Sequence, residues 1–144
     1  MNKVTGFAFL AVAAALGVAG WVALRPDPRP ASPPQAAGGA MVAVTLPASL
    51  SAEAETGARI FGQVCAACHG LNAAGVEGSG PPLVHRIYEP SHHGDEAFQL
   101  AVARGVSAHH WRFGNMPPVE GLTRGDVAMV VAYVRALQEA NGIR

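Results

Sequence analysis

The sequence predicts an all-α domain whose helices are joined by long Gly/Pro-rich loops. Apolar residues recur at helical spacing in three separate segments, and no stretch alternates apolar and polar residues as a half-buried strand does. The chain has 144 residues, with ten Lys+Arg against ten Asp+Glu. That length accommodates one modest domain plus an appendage, and the charge balance leaves no strong field of either sign. Nucleic acid is therefore not expected as a partner, nor is an acidic substrate.

The appendage comes first. Val4–Leu24 is a run of 21 residues without a charge, preceded by Lys3 and followed by Arg25. It is long enough to cross a bilayer core as a helix. Two readings compete, an uncleaved membrane anchor and a cleaved export signal. A signal peptide has a shorter apolar core and a small-residue cleavage site. This run instead continues through Trp21, a residue suited to the membrane interface, into Arg25-Pro26-Asp27-Pro28-Arg29-Pro30. The expectation is an N-terminal membrane anchor over residues 1–24, and either reading exports the remainder. Residues 25–48, with Pro26, Pro28, Pro30, Pro33, Pro34 and Pro47 in an Ala/Gly background, read as a linker. Such a chain favours extended polyproline II segments and serves as a semi-rigid spacer.

Residues 49–144 remain for the folded domain. That is short for a self-sufficient core, and its two cysteines lie too close in sequence to staple it. A cofactor filling the core would make up the shortage. The first helix starts at Ser51, a good N-cap, with Glu53 and Glu55 where the helix dipole favours acids, and carries the apolar stripe Ile60, Phe61 and Val64. Gly57 inside it costs about 1 kcal/mol relative to Ala, so close packing by another element is expected there. The second helix fits Asp95–Arg104 and stops at Gly105. The third begins at Thr123, with Asp126 placed as in a capping box. Val127, Val130, Val131, Val134 and Leu137 form its stripe, and Asn141-Gly142 ends it. The long loops between these helices are of the kind that wrap something in a small helical domain.

What they wrap is indicated by Cys65-Ala66-Ala67-Cys68-His69, a C-x-x-C-H sequence of the kind that attaches c-type haem. Two thiols one helical turn apart can add to the two vinyl groups on one edge of a porphyrin. The following imidazole then lies under the ring and donates a nitrogen to iron. Zinc would require four ligands, and no second Cys pair exists. A thioredoxin-type dithiol begins a helix, whereas this pair ends one, and a disulfide closing so short a loop would stabilise little.

From about Ser51 to Asn141 the chain resembles class I (mitochondrial-like), mono-haem c-type cytochromes. Gly57 and Phe61 with Tyr133 are similar to that family's crossing of terminal helices, and Cys65, Cys68 and His69 match its attachment motif. Gly80-Pro81-Pro82-Leu83 resembles its Gly-Pro-x-Leu loop, whose Pro carbonyl accepts the proximal imidazole N–H. Met116-Pro117 matches its distal-ligand loop. The resemblance implies a cytochrome c-like helical domain wrapped around one covalent haem c, preceded by one transmembrane helix. Cys65 and Cys68 would hold the haem, His69 and Met116 would ligate iron, and Pro81 would orient His69. Six-coordinate iron leaves no open site, which favours electron transfer over catalysis.

The stretch from His109 to Pro118, "HHWRFGNMPP", holds the rival ligands. Met116 stands in a Gly/Pro-rich loop between helices, whereas Met129 falls among packing residues of the last helix. His109 or His110 would give bis-His ligation instead. Five of the six histidines fall between His85 and His110. They read as residues of the haem rim, with Trp111 and Arg112 as donors to haem propionates. His92, His93, His109 and His110 could alternatively converge on a second metal, since imidazoles suit copper. The expected function is single-electron transfer with membrane oxidoreductases or periplasmic dehydrogenases. The alternatives are a haem subunit of a larger dehydrogenase or oxidase, and a copper-handling or metal-responsive cytochrome. Because c-type haem is attached outside the cytoplasm, the expected location is the inner membrane, single-pass, with the haem domain on the periplasmic side.

Overall fold

A computed structural model of the chain describes residues 39–144. The expected membrane anchor and most of the expected linker lie outside the described residues. Among the described residues no helix is long and apolar enough to cross a membrane, and the architecture is helical, with isolated bridges in place of strands.

Helix α1, Ala52–Ile60, is capped by Ser51, whose Oγ accepts the Ala54 N–H at 3.2 Å. It runs into a π-helical turn, Phe61–Cys65, and then into the short helix α2, Ala66–His69. The wider turn, closed by Ala66 N–H donating to Phe61 O, holds one residue more than an α-turn and so rotates Cys65–His69 relative to the face that buries Ala54, Gly57 and Phe61. Such turns recur where a helix serves a site. Helix α3 is Asp95–Arg104, closed by Gly105 at φ 72°. Helix α4 is Arg124–Ala140, opened by a complete Thr123/Asp126 capping box.

The core is the crossing of α1 with α4. A Cβ built on Gly57 would stand 1.8 Å from the Met129 carbonyl oxygen and 2.9 Å from the Val130 nitrogen. The two backbones are therefore in direct contact, which only Gly allows. One turn on, Phe61 (1 % exposed) packs its ring against Tyr133, with centroids 5.7 Å apart and planes tilted by 60°. Val134 and Leu137 are fully buried beside them. Burial raises the Tyr133 phenol above its usual range, and its hydroxyl donates to Asn72 Oδ1 at 3.1 Å.

One polar side chain lies in this core. Gln138, 1 % exposed, donates from Nε2 to Leu83 O at 2.8 Å and to Tyr88 O at 2.9 Å. Its Oε1 accepts from Arg135 at 2.6 Å. Arg135 also donates to Tyr88 O, to His93 O and to the Asp95 carboxylate, and its guanidinium lies 5.1 Å from the Phe98 ring centre. Two side chains of α4 thus hold the whole segment from Leu83 to Asp95.

Residues at the end of the expected linker belong to the packed unit. Met41 and Val42 N–H both donate to Ala74 O at 3.1 Å, Val44 packs against the core, and Thr45 exchanges two hydrogen bonds with the Asn141 side chain. The spacer therefore ends earlier than residue 48, because backbone pairing does not need the apolar periodicity by which a domain start is read.

Gly57→Ala should destabilise the protein by about 3 kcal/mol or more, since backbone must move to admit the methyl. Gly62→Ala, whose Cβ meets nothing within 4 Å, should be neutral or stabilising by up to about 1 kcal/mol. Thermal melts of the two variants check the contrast, and equal melting points would contradict the crossing.

Candidate functional site

The site is built at the end of the α1–α2 run. Cys65 is half-buried and Cys68 exposed, both as free thiols. Burial, then the proximity of Cys68, pushes the Cys65 thiol up to about 11. It is a neutral thiol at physiological pH. Redox dithiols and thiolate metal sites rely on a depressed value, so Cys65 is poorly suited to either.

His69 is oriented by the chain itself. Its Nδ1 lies 2.9 Å from Pro81 O. A carbonyl can only accept, so Nδ1 carries the proton and the Nε2 lone pair is left free. Burial outweighs that hydrogen bond and holds the imidazole below its ordinary value, so it is neutral and competent to ligate a metal. The Pro81 carbonyl is itself held in place. Gly75 N–H donates to His69 O at 2.7 Å, and Val76 and Gly80 exchange backbone hydrogen bonds. A Cβ on Gly80 would stand 2.7 Å from Cys68 O, so the loop presses its backbone onto the attachment segment. Asn72 and Ala73 take positive φ (55° and 58°) in the bend between. Ala73 O then accepts from Leu83 and Val84 N–H, tying that bend to the chain that follows Pro81.

On the opposite side of the sequence, Met116 is fixed by its backbone. It exchanges hydrogen bonds with Val106 at 2.9 and 3.0 Å, and Ala108 N–H donates to Asn115 Oδ1 at 2.9 Å. A Cβ on Gly105 would stand 2.5 Å from Met116 O. The loop is thereby stitched to the C-terminal end of α3, with Met116 half-buried.

Trp111 provides an independent test of whether the residues suit a haem. Its ring is stacked on Phe113 (5.7 Å, 12°) and meets His85 edge-on at 5.2 Å. The indole nitrogen is buried and makes no hydrogen bond of good geometry, although its N–H is near enough to the Tyr88 hydroxyl to oppose the rise that burial gives that phenol. A buried N–H without a partner is costly, and a propionate is the kind of acceptor that would satisfy it. With two free thiols, a neutral imidazole whose Nε2 is free and a buried indole N–H, the residues fit a covalent haem. Arg112 is exposed and forms no hydrogen bond within the described residues.

The histidines divide. His85 caps the turn Arg86–Tyr88, accepting the Ile87 N–H. His92, His93 and His110 come together, and His109 stacks beside them, its ring centre 4.2 Å from that of His110. Slight desolvation, then the imidazoles of His109, His93 and His92, lowers His110. Reasoning from sequence missed Arg135 and Gln138, although Gln138 falls on the same helical face as Val131 and Val134, where a lone amide is a signal of buried carbonyls nearby.

Residues 54–138 match the family model described as Cytochrome c. No curated protein and no solved structure gives a match.

If the indole N–H is the donor to a propionate, Trp111→Phe in the haem-loaded protein should lower stability by about 1–3 kcal/mol and displace the pH profile of the reduction potential. Thermal melts and potentiometry across pH check this, and an unmoved profile would show that the indole serves packing alone.

Proposed function

We propose, given that this chain belongs to the cytochrome c family, that it is a membrane-tethered, mono-haem electron carrier of class I. The family binds haem c covalently, and that group supplies a one-electron couple when bound. The observation that carries the reading is the His69–Pro81 hydrogen bond, which presents one imidazole lone pair beside the two thiols and fixes its direction. Cys65 and Cys68 would hold the group, and His69 would supply one iron ligand. Met116 would supply the other, a reading supported by its backbone clamped to Val106 and by the Gly/Pro-rich loop around it. His109 stands instead in the exposed histidine cluster, its ring centre 4.2 Å from that of His110, which itself faces His92.

An imidazole and a thioether from the chain would leave the iron no site for substrate, and a thioether would favour a higher potential than a second imidazole. The residues around the site position and shield rather than react, which suits outer-sphere electron transfer. Uncharged Val4–Leu24 supports a single-pass anchor with the domain on the periplasmic side of the inner membrane. A tether raises the effective concentration for membrane oxidoreductases, with periplasmic dehydrogenases as the other class of partner.

Met116→His should lower the reduction potential by roughly 0.1 V or more, within the ~0.8 V span that axial ligands command. Met116→Ala should abolish the sulfur-to-ferric-iron charge-transfer band. Potentiometry and the optical spectrum check both. Retention of the band in Met116→Ala would remove Met116 from the assignment.

A further inference from the structure

We propose that His92, His93 and His110 form a surface site for one borderline divalent transition cation, separate from the haem-attachment residues. One imidazole nitrogen from each lies within 4.8 Å of the others. The residues come from two loops, and the closest approach, His92 Nε2 to His110 Nε2, is 3.4 Å. In a tetrahedral site with Zn–N distances of about 2.0–2.1 Å, neighbouring ligand nitrogens stand ~3.3 Å apart. This pair already has that separation, and a cation between the two nitrogens would take the place of the proton they share.

The third ligand is prepared by its other nitrogen. His93 Nδ1 lies close against Ile87 O, at 2.6 Å, so Nδ1 carries the proton and Nε2 is the available donor. A carbonyl behind a ligating imidazole is the usual means of fixing its ring and tautomer. The backbone beneath is also held. His92 and His93 N–H both donate to Glu89 O at 3.0 and 2.8 Å, and His93 O accepts from Arg135 at 2.6 Å. All three ligands are imidazole nitrogens, with no carboxylate in the set. Hard cations such as Ca²⁺ and Mg²⁺ require oxygen ligands, whereas imidazoles select Zn(II), Cu(II) and Ni(II). The 3.4 Å separation matches Zn(II) geometry, and the general affinity order places Cu(II) above Zn(II) at any such site. Three protein ligands leave at least one position for water.

The test is calorimetric titration of Zn(II), and separately of Cu(II), into chelator-treated, haem-loaded full-length protein and into a His92→Gln/His110→Gln variant. The expected result is one cation per chain, with Cu(II) bound more tightly than Zn(II) and both affinities reduced at least about a hundredfold in the variant. An unchanged haem absorbance spectrum verifies that the variant is folded. His109→Gln, altering a ring outside the three, should retain affinity within about threefold. The proposal is overturned if wild type binds neither cation stoichiometrically, or if the double variant binds as tightly as wild type.

Discussion

The contact between Gly57 and the Met129–Val130 backbone sets the distance between the first and last helices of the domain, and most of the structure depends on it. At that distance Phe61 reaches Tyr133 and Val134, and Leu137 is fully enclosed. With a side chain at position 57 the helices would separate, and the rings below would lose the contacts that fill the core. After the π-turn that follows, Ala66 is the residue buried in the core, with Cys65 partly buried against it and Cys68 exposed. A single helical run can in this way serve the core at one end and the attachment site at the other.

The same last helix governs the rest through polar groups. Gln138 and Arg135 satisfy the carbonyls of Leu83, Tyr88 and His93, which a small domain cannot satisfy with regular structure over so long a loop. A buried amide with every hydrogen-bonding group paired favours one arrangement over its neighbours, since any shift would leave carbonyls without donors. This accounts for a long irregular segment holding a defined shape. The Arg135–Asp95 ion pair adds little by itself, its carboxylate being 70 % exposed. The backbone acceptors give Arg135 its importance.

The helices were legible in the sequence because each carried both periodicity and a cap. Ser51 and the Thr123/Asp126 box start helices where the structure has them, and Gly105 ends one. The requirement for close approach at Gly57 could also be read, since an isolated glycine in an apolar helix has few other uses. Cys65, Cys68 and His69 stand out as candidates from spacing alone, and the Pro81 carbonyl that meets His69 Nδ1 was expected through resemblance. The π-turn was not, because inserting one residue into a helix leaves no compositional mark. Nor was the role of Arg135, of whose four acceptors three are distant in sequence and two are backbone carbonyls. The pairing of Met41 and Val42 with Ala74 was hidden for a similar reason, being made by main-chain groups in a stretch whose composition reads as spacer.

The mutual pair of hydrogen bonds between Thr45 and Asn141 joins the incoming chain to the outgoing end of the last helix. The two ends of the domain are therefore neighbours in space, and the order of its helices along the chain is not essential to their packing. A circularly permuted version, with the ends joined by a short flexible linker and new termini opened in the exposed turn around Gly78, would retain the α1–α4 crossing. In such a molecule the two crossing helices would be consecutive in sequence. Their docking would then require closing a much shorter loop than in the natural chain, where residues 61–123 lie between them.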